Sequence, residues 1–404
     1  MHKFYRNKLN FSGLRGTFLQ NPTHLFMQPT HRPQILIAPN ALKHSVRALD
    51  AAEAIRRGMT RSRLKADYHL SPLADGGDGT SQVLTRCLGG TFRATRVLDP
   101  LGREVTAHYG WINDRQIAIL EMAEASGIQL LSTDERNPME ASSFGTGQLI
   151  KAAIAEGAKE IWLGIGGSAT VDGGLGAMAA LGVRTLDAEG NPITAGGQGM
   201  QTLHRWVMPE EHPFKAVKVR VLCDVNFPLL GPKGAARMFG PQKGASRPMV
   251  KALDHGLKHL SQLIEKETGQ AVGSIDHGGA AGGIGVVLSA LLGAELHSGS
   301  QFIIEQLGLP EKLKHMDFVI TAEGRLDSQS LGGKAPAMLA RQAKAAGAKV
   351  IALAGQIQDR PEVDKLFDAV YPVNPEWKST HHALEMGEEH LTWAAEQVGR
   401  LLYL

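Results

Sequence analysis

The sequence predicts an α/β protein built on a parallel sheet, and three observations carry that expectation. The apolar run Ile35-Leu36-Ile37-Ala38 is followed by an amphipathic stretch and a second strand, a β-α-β opening. The same rhythm returns late in the chain, with strand Asp317–Ala322, helix Ala335–Ala346, strand Lys349–Ala354 and a last helix from about Thr380. Between these parts the texture changes to short strands separated by turns. We therefore expect two α/β domains. A Rossmann-like parallel-sheet domain, 35–79 with 277–404, would be interrupted by an inserted mixed α/β domain over 80–276.

Taken in order, the first strand ends at Pro39-Asn40, and a helix follows from about Ala48 to Arg57. Ala48, Ala52, Ile55 and Met59 share one face, with Gly58 as its stop. The next strand leads into Leu73-Ala74-Asp75-Gly76-Gly77-Asp78-Gly79, and loops at strand carboxyl ends are where open α/β sheets bind ligands. Phe92–Leu98, Val105–Trp111 and Ile117–Glu121 are then separated by Asp99-Pro100-Leu101-Gly102 and Asn113-Asp114. That pattern reads as an antiparallel meander. A helix near Gly147–Glu156 and a strand over Glu160–Ile165 complete the middle.

Composition narrows the function classes. Hydrophobic residues make up 43% and charged residues 21%, as in a soluble globular enzyme. The longest uncharged apolar stretch, Gly278 to Ala294, is too short and glycine-rich to span a bilayer. Two cysteines, Cys87 and Cys223, build neither a disulfide framework nor a cysteine zinc site, which fits a reducing compartment and a cytoplasmic location. The net charge of +3 comes from residues 1–34, where Lys3, Arg6, Lys8, Arg15 and Arg32 stand with no acid. The remainder holds 38 basic against 40 acidic residues and has no basic stripe for nucleic acid. Because it has a single serine and little amphipathic order, the leader reads as an over-extended start ahead of Met27 rather than an organelle presequence.

Five segments concentrate residues that carry chemistry. Lys43, in Pro39-Asn40-Ala41-Leu42-Lys43-His44-Ser45, is either a phosphate ligand at a helix start or a surface lysine. Asp75 and Asp78, in the glycine loop with Gly76 and Gly77, suit a hard cation or proton abstraction, or make an ordinary Asp-Gly turn. Leu163-Gly164-Ile165-Gly166-Gly167-Ser168-Ala169-Thr170-Val171-Asp172-Gly173-Gly174 is dense in glycine, hydroxyls and an acid. Its backbone can approach an anion, Ser168 and Thr170 can donate, and Asp172 is available as base or metal ligand. Asp224 is followed by two Gly-Pro turns carrying Lys233 and Lys243. Glu323-Gly324-Arg325-Leu326-Asp327-Ser328-Gln329 places two acids around an arginine able to hold a carboxylate or phosphate. Gly332-Gly333-Lys334 lacks the flanks of a Walker A loop. Gly278–Gly285 is a phosphate loop or a close helix contact, and the sixteen histidines show no metal-ligand spacing.

In this order, from about Ile35 to about Gly355, the segments resemble the bacterial glycerate kinase family, whose members phosphorylate D-glycerate with ATP. The resemblance is carried by Ile37-Ala38-Pro39 with Leu42-Lys43, by Ala74–Thr80, and by Ile165–Thr170 with Asp172-Gly173-Gly174. It continues through Gly231-Pro232-Lys233-Gly234-Ala235, Phe239–Ala245, Gly279–Gly283 and Glu323–Gln329. One departure is Asn40-Ala41-Leu42-Lys43-His44 where the family commonly reads Asp-Ser-Phe-Lys-Glu or Asp-Ser-Phe-Lys-Gly. With Lys43 kept, position 40 is expected to cap or turn rather than catalyse.

The resemblance implies a site between two domains that close to exclude water. MgATP would lie against Gly76, Gly77, Gly166, Gly167, Gly282, Gly283 and Ser328, with Mg²⁺ on Asp224 or Asp327. Lys43 and Lys243 would stabilise the moving phosphoryl group, and Arg325 with Ser168 and Thr170 would clamp the glycerate carboxylate. Asp172 or Asp75 would serve as base. The expected product is 2-phospho-D-glycerate rather than the 3-phospho isomer. The expected partners are the two small-molecule substrates and, in a homodimer, a second copy of the chain. Alternative readings are a kinase for a related hydroxy acid such as tartronate and a non-catalytic sugar-acid-binding sensor.

Overall fold

The computed structural model describes residues 32–210, 213–327, 333–358, 360–375 and 379–403, so nearly all of the basic leader lies outside the described residues. In chain order the strands are β1 (Gln34–Ile37), β2 (Asp67–Leu70), β3 (Thr91–Leu98), β4 (Glu104–Ile112), β5 (Ile117–Glu121) and β6 (Glu160–Gly164). They continue as β7 (Arg184–Leu186), β8 (Arg205–Val207), β9 (Lys218–Leu222), β10 (Glu295–His297), β11 (Phe318–Leu326), β12 (Lys349–Ile357) and β13 (Ala369–Pro372).

The apolar runs that opened and closed the sequence pair into one five-stranded sheet, in the order β13-β12-β11-β1-β2 and parallel throughout. Strands covered on both faces must be apolar along their length. Accordingly Ile35, Leu36 and Ile37 in β1 and Val319 and Ile320 in β11 are fully buried. Counted within this sheet, the order is 2-1-3-4-5, the flavodoxin-like variant of the doubly wound class. Its connections change direction between β1 and β11, and a crevice opens there at the strand carboxyl ends.

The middle of the chain forms a six-stranded sheet, β10-β9-β6-β5-β4-β3. Strands β3, β4 and β5 are the expected antiparallel meander, while β5, β6, β9 and β10 run parallel. Asp99 turns the first hairpin by accepting from the Leu101 and Arg103 amides at 2.8 and 2.9 Å. The boundary expected at 276/277 needs correction. Residues 284–297, a helix (Ile284–Leu292) and β10, extend the second sheet by pairing with β9, and the chain returns to the first sheet only afterwards. The short β7–β8 ribbon stands apart as a third, two-stranded sheet.

The first helix runs Ala48–Arg61, past the expected stop at Gly58. That glycine is a crossing point: a Cβ there would lie 2.1 Å from the Thr392 carbonyl of the last helix, Gly387–Tyr403. Ile55, Met59, Leu391 and Ala395 fill the crossing and are essentially unexposed. Each large apolar side chain buried in this way contributes roughly 1.5–3 kcal/mol.

A single apolar cluster also reaches across both sheets. Leu36 and Val319 of the first, with Leu339 of the helix Ala335–Ala345, join Ile119, Trp162 and Leu222 of the second, with Leu84 of the helix Thr80–Cys87, through Phe302 and Ile303. Phe302 belongs to the helix Gly299–Gln306 and meets Trp162 edge-on at 4.9 Å. Pro33–Leu404 accordingly forms one compact unit. Among the described residues no helix is long and apolar enough to cross a membrane.

Candidate active site

The carboxyl ends of the parallel strands of both sheets converge on the loop that follows β2. Within it the Gly76 carbonyl accepts from the Gly166 amide beyond β6 at 3.1 Å; beside it the Gly299 amide donates to the Cys223 carbonyl beyond β9 at 3.4 Å. Glycine is required at Gly166, because a Cβ there would stand 2.4 Å from the Gly77 Cα. The expected glycines Gly76, Gly77, Gly166 and Gly167 are therefore brought together, with Gly76 buried and Gly167 exposed.

Acids gather around this clasp. Asp75 is half-buried at its start. Asp224 follows β9 and accepts from the Ser298 hydroxyl at 2.9 Å, the Ser300 amide at 3.0 Å and the Ser300 hydroxyl, at the start of the helix Gly299–Gln306. Burial raises its carboxyl above the usual range, and the charge of Asp75 raises it further against those hydrogen bonds. Glu121 ends β5 and caps the helix Thr80–Cys87, taking the Gly79 and Ser81 amides at 3.1 and 2.6 Å. Burial pushes it up to about 7.

Across the β1/β11 switch point, Glu323 is 4% exposed and pushed up to about 7 by burial. The Asn40 amide donates to it at 3.1 Å. Asn40 does make the turn expected of it, since its side-chain oxygen accepts from the Ala41 amide at 2.9 Å. It also faces an acid that is not among the expected site residues.

Lys43 is presented on the tip of a tight turn closed by two 2.9 Å bonds between Leu42 and Val46, with His44 in the left-handed region at φ 66°. It is exposed, and its charge lowers both Asp78 and Glu323 against the burial that raises them. Lys334, at the start of the helix Ala335–Ala345, acts on Glu323 in the same sense.

Several expected site residues are placed elsewhere. Asp172 is fully buried and accepts from the Ser143 amide and hydroxyl and the Gly174 and Gly176 amides at 2.7–3.3 Å. That carboxylate is used up in holding its own loop and is not placed to activate an acceptor. Lys243 is 3% exposed and donates to the Ser168 hydroxyl at 2.8 Å and the Thr170 carbonyl at 2.7 Å, so it props the loop from beneath. Burial pushes its ammonium down to about 7, with Asp172 opposing. Thr170 is fully buried, which removes its hydroxyl from substrate contact, and Ser168 is 7% exposed.

Gly282 and Gly283 are buried against Thr170–Gly173 and Leu229, a packing contact rather than a phosphate loop. Arg325 pairs with Asp327 at 2.9 Å and with Gln358 at 2.5 Å, which sets both partners at the end of β11. Ser328 lies outside the described residues. Surface cavities lined by Arg237, Lys251 and His255, and by Arg61, Arg63 and Arg400, share no residue with this cleft. Topology and charge define the site here, not volume.

No group of three His, Cys, Asp or Glu side chains is assembled for a metal among the described residues. Magnesium needs less, one or two carboxylates with water and substrate phosphates completing its shell, and the neighbouring Asp75 and Asp224 meet that requirement.

A doubly wound sheet whose switch point holds an exposed lysine, a buried glutamic acid and a glycine clasp beside two carboxylates defines an α/β enzyme equipped for phosphoryl transfer. Residues 35–403 match the model of the Glycerate kinase family. A glycerate kinase of Halalkalibacterium halodurans is 44% identical over 367 residues, covering 90% of this chain and 97% of that protein. The Escherichia coli K12 Glycerate 2-kinase is 43% identical over 343 residues, 84% of this chain and 90% of that one. A crystal structure described as glycerate kinase 2 from Salmonella typhimurium LT2 superposes with a TM-score of 0.81 at 39% identity, covering 92% of this chain and 99% of that one. The chain belongs to the glycerate kinase family.

Proposed function

We propose that the chain transfers the γ-phosphoryl group of MgATP to D-glycerate, forming 2-phospho-D-glycerate in preference to the 3-phospho isomer. The observation that carries this reading is the convergence of Lys43, Asp75, Asp224 and Glu323 on the switch-point crevice of a family member. The name of the Escherichia coli relative motivates the O2 preference. Both cysteines are free thiols, which fits the cytoplasm.

Phosphoryl transfer asks for alignment and charge neutralisation more than for covalent help. Lys43, free to swing from its turn, would meet the charge that develops on the transferred group. Asp75 and Asp224 would hold the magnesium, which neutralises phosphate oxygens when bound. The Gly77 and Gly167 backbone would let the nucleotide phosphates approach closely. Arg325 would exchange Asp327 and Gln358 for the glycerate carboxylate, a planar anion that suits its fork.

The test is ADP release from MgATP with D-glycerate, L-glycerate, tartronate or no acceptor, followed by ³¹P NMR of the product. Turnover confined to D-glycerate with a phosphorus resonance coupled to the C2 proton is expected. Turnover with tartronate alone would indicate a kinase for a related acid. Binding without turnover by folded protein would indicate a sensor.

A further inference from the structure

The Asn40–Glu323 contact joins two residues 283 positions apart at the one place where the first sheet reverses its winding. Its geometry is fixed from both sides. The Asn40 amide nitrogen of the main chain donates to the Ala322 carbonyl at 2.9 Å, which sets the loop beside the strand residue that precedes Glu323. The Asn40 side-chain oxygen is held by the Ala41 amide, so only its NH₂ group can be turned toward the acid. One Glu323 oxygen therefore accepts from Asn40, and among the described residues the other accepts no hydrogen bond.

The charged groups facing Glu323 come from three elements. Lys43 stands on the loop after β1, Asp75 on the loop after β2, and Lys334 at the start of the helix Ala335–Ala345. None forms a hydrogen bond with it among the described residues. Where the family commonly carries Asp, the amide of this chain donates to Glu323 at 3.1 Å and orients the acid without itself titrating.

We propose that Glu323 is the general base of the transfer and that Asn40 is its positioning residue. This rests on the phosphoryl-transfer reading above. As the acceptor O–H bond breaks, its proton goes to the free Glu323 oxygen. The acceptor oxygen forms the new bond to the γ-phosphorus, and the bond from that phosphorus to the bridging oxygen breaks, its electron pair leaving with ADP. Arg325 and Lys43 carry charge, not protons, in this scheme. Burial, against the pull of Lys334, Asn40 and Lys43, raises the Glu323 carboxyl to about 7, the range in which a base is most effective.

The experiment is the pH dependence of kcat/KM with MgATP and D-glycerate for the wild type, Glu323→Gln, Glu323→Asp and Asn40→Ala, with circular dichroism to confirm folding. The wild type should lose activity below about pH 7, where Glu323 is protonated. Glu323→Gln should lose ~10²-fold or more in kcat, with the KM for MgATP little changed, and should show no acid limb. Asn40→Ala removes a donor to the charged form, so its acid limb should move to higher pH while its activity recovers in alkali. A structural role for Asn40 would instead depress activity equally at every pH.

Glu323→Gln within about fivefold of the wild type, or an acid limb that survives in it, would overturn the base assignment while leaving the kinase reading intact. If Glu323→Gln does not fold, Glu323→Asp and the Asn40→Ala limb decide in its place. In that case an unmoved limb in both overturns the proposal. A wild type inactive on every acceptor overturns the kinase reading and the base assignment with it.

Discussion

Lys243 offers the sharpest test of the claim that a residue expected to catalyse instead supports. Its ammonium is pushed from the ordinary lysine value of 10.5 down to about 7 by burial. Between these values the unfolded chain binds a proton that the native protein does not, so stability rises with pH. The gain is complete above 10.5 and absent below 7. At ~1.4 kcal/mol per pH unit, raising the pH from 7.5 to 9.5 should stabilise the wild type by roughly 2–3 kcal/mol through this one group. Lys243→Met keeps most of the stem and removes the titration. It also strips donors from the Ser168 hydroxyl and the Thr170 carbonyl, at about 1–3 kcal/mol for each acceptor left buried and unpaired. Urea unfolding of both proteins at pH 7.5 and 9.5, followed by tryptophan fluorescence, should show a destabilised variant whose deficit widens by that same ~2–3 kcal/mol at the higher pH. An equal deficit at both values would refute a buried, neutralised lysine.

Three further outcomes are expected. Lys43→Met, at an exposed turn, should lower kcat by ~10²-fold with an unchanged melting curve, since the side chain acts on transferred charge and not on packing; normal turnover would remove it from the site. Asp172→Asn replaces an acceptor of four hydrogen bonds and removes a neighbouring negative charge from Lys243, so it should cost ~2–4 kcal/mol of stability while the folded fraction keeps its kcat. A stable variant with kcat lowered ~10²-fold would restore Asp172 as a base. Asp224→Asn should raise the Mg²⁺ concentration giving half-maximal velocity by about 10-fold or more. A superimposable Mg²⁺ titration would assign the ion elsewhere.

Periodicity and loop composition made the main strands and helices of the first sheet, the meander and the glycine loops legible in the sequence. Those signals are local. The apolar run after Gly283 fits either sheet by its pattern, and only the pairing of β10 with β9 decides where the chain returns to the first sheet. Gly58 reads locally as a stop, because the helix that crosses it begins at Gly387, far along the chain.

The site divides in the same way. Lys43, Asp75 and Asp224 stand out in the sequence as candidates because their loops concentrate glycine, acids and lysines. Asp172 and Lys243 stand in equally rich loops, but burial decides their use, and burial is a property of the assembled fold. Glu323 was in plain view at the end of an apolar strand. What singles it out is the strand order, which sets it against Asn40 across the switch point.

That placement of β1 has a consequence for synthesis on the ribosome. One neighbour, β2, emerges almost at once, but the other, β11, is encoded 283 residues later. At about 5–20 residues per second the interval lasts roughly 15–60 s. Throughout it a strand of which Ile35, Leu36 and Ile37 are apolar presents an open hydrogen-bonding edge. The nascent chain thus depends on shielding until its last third is made, and a truncated product lacking β11 would expose that edge permanently. Premature termination should therefore yield aggregates rather than a folded amino-terminal fragment.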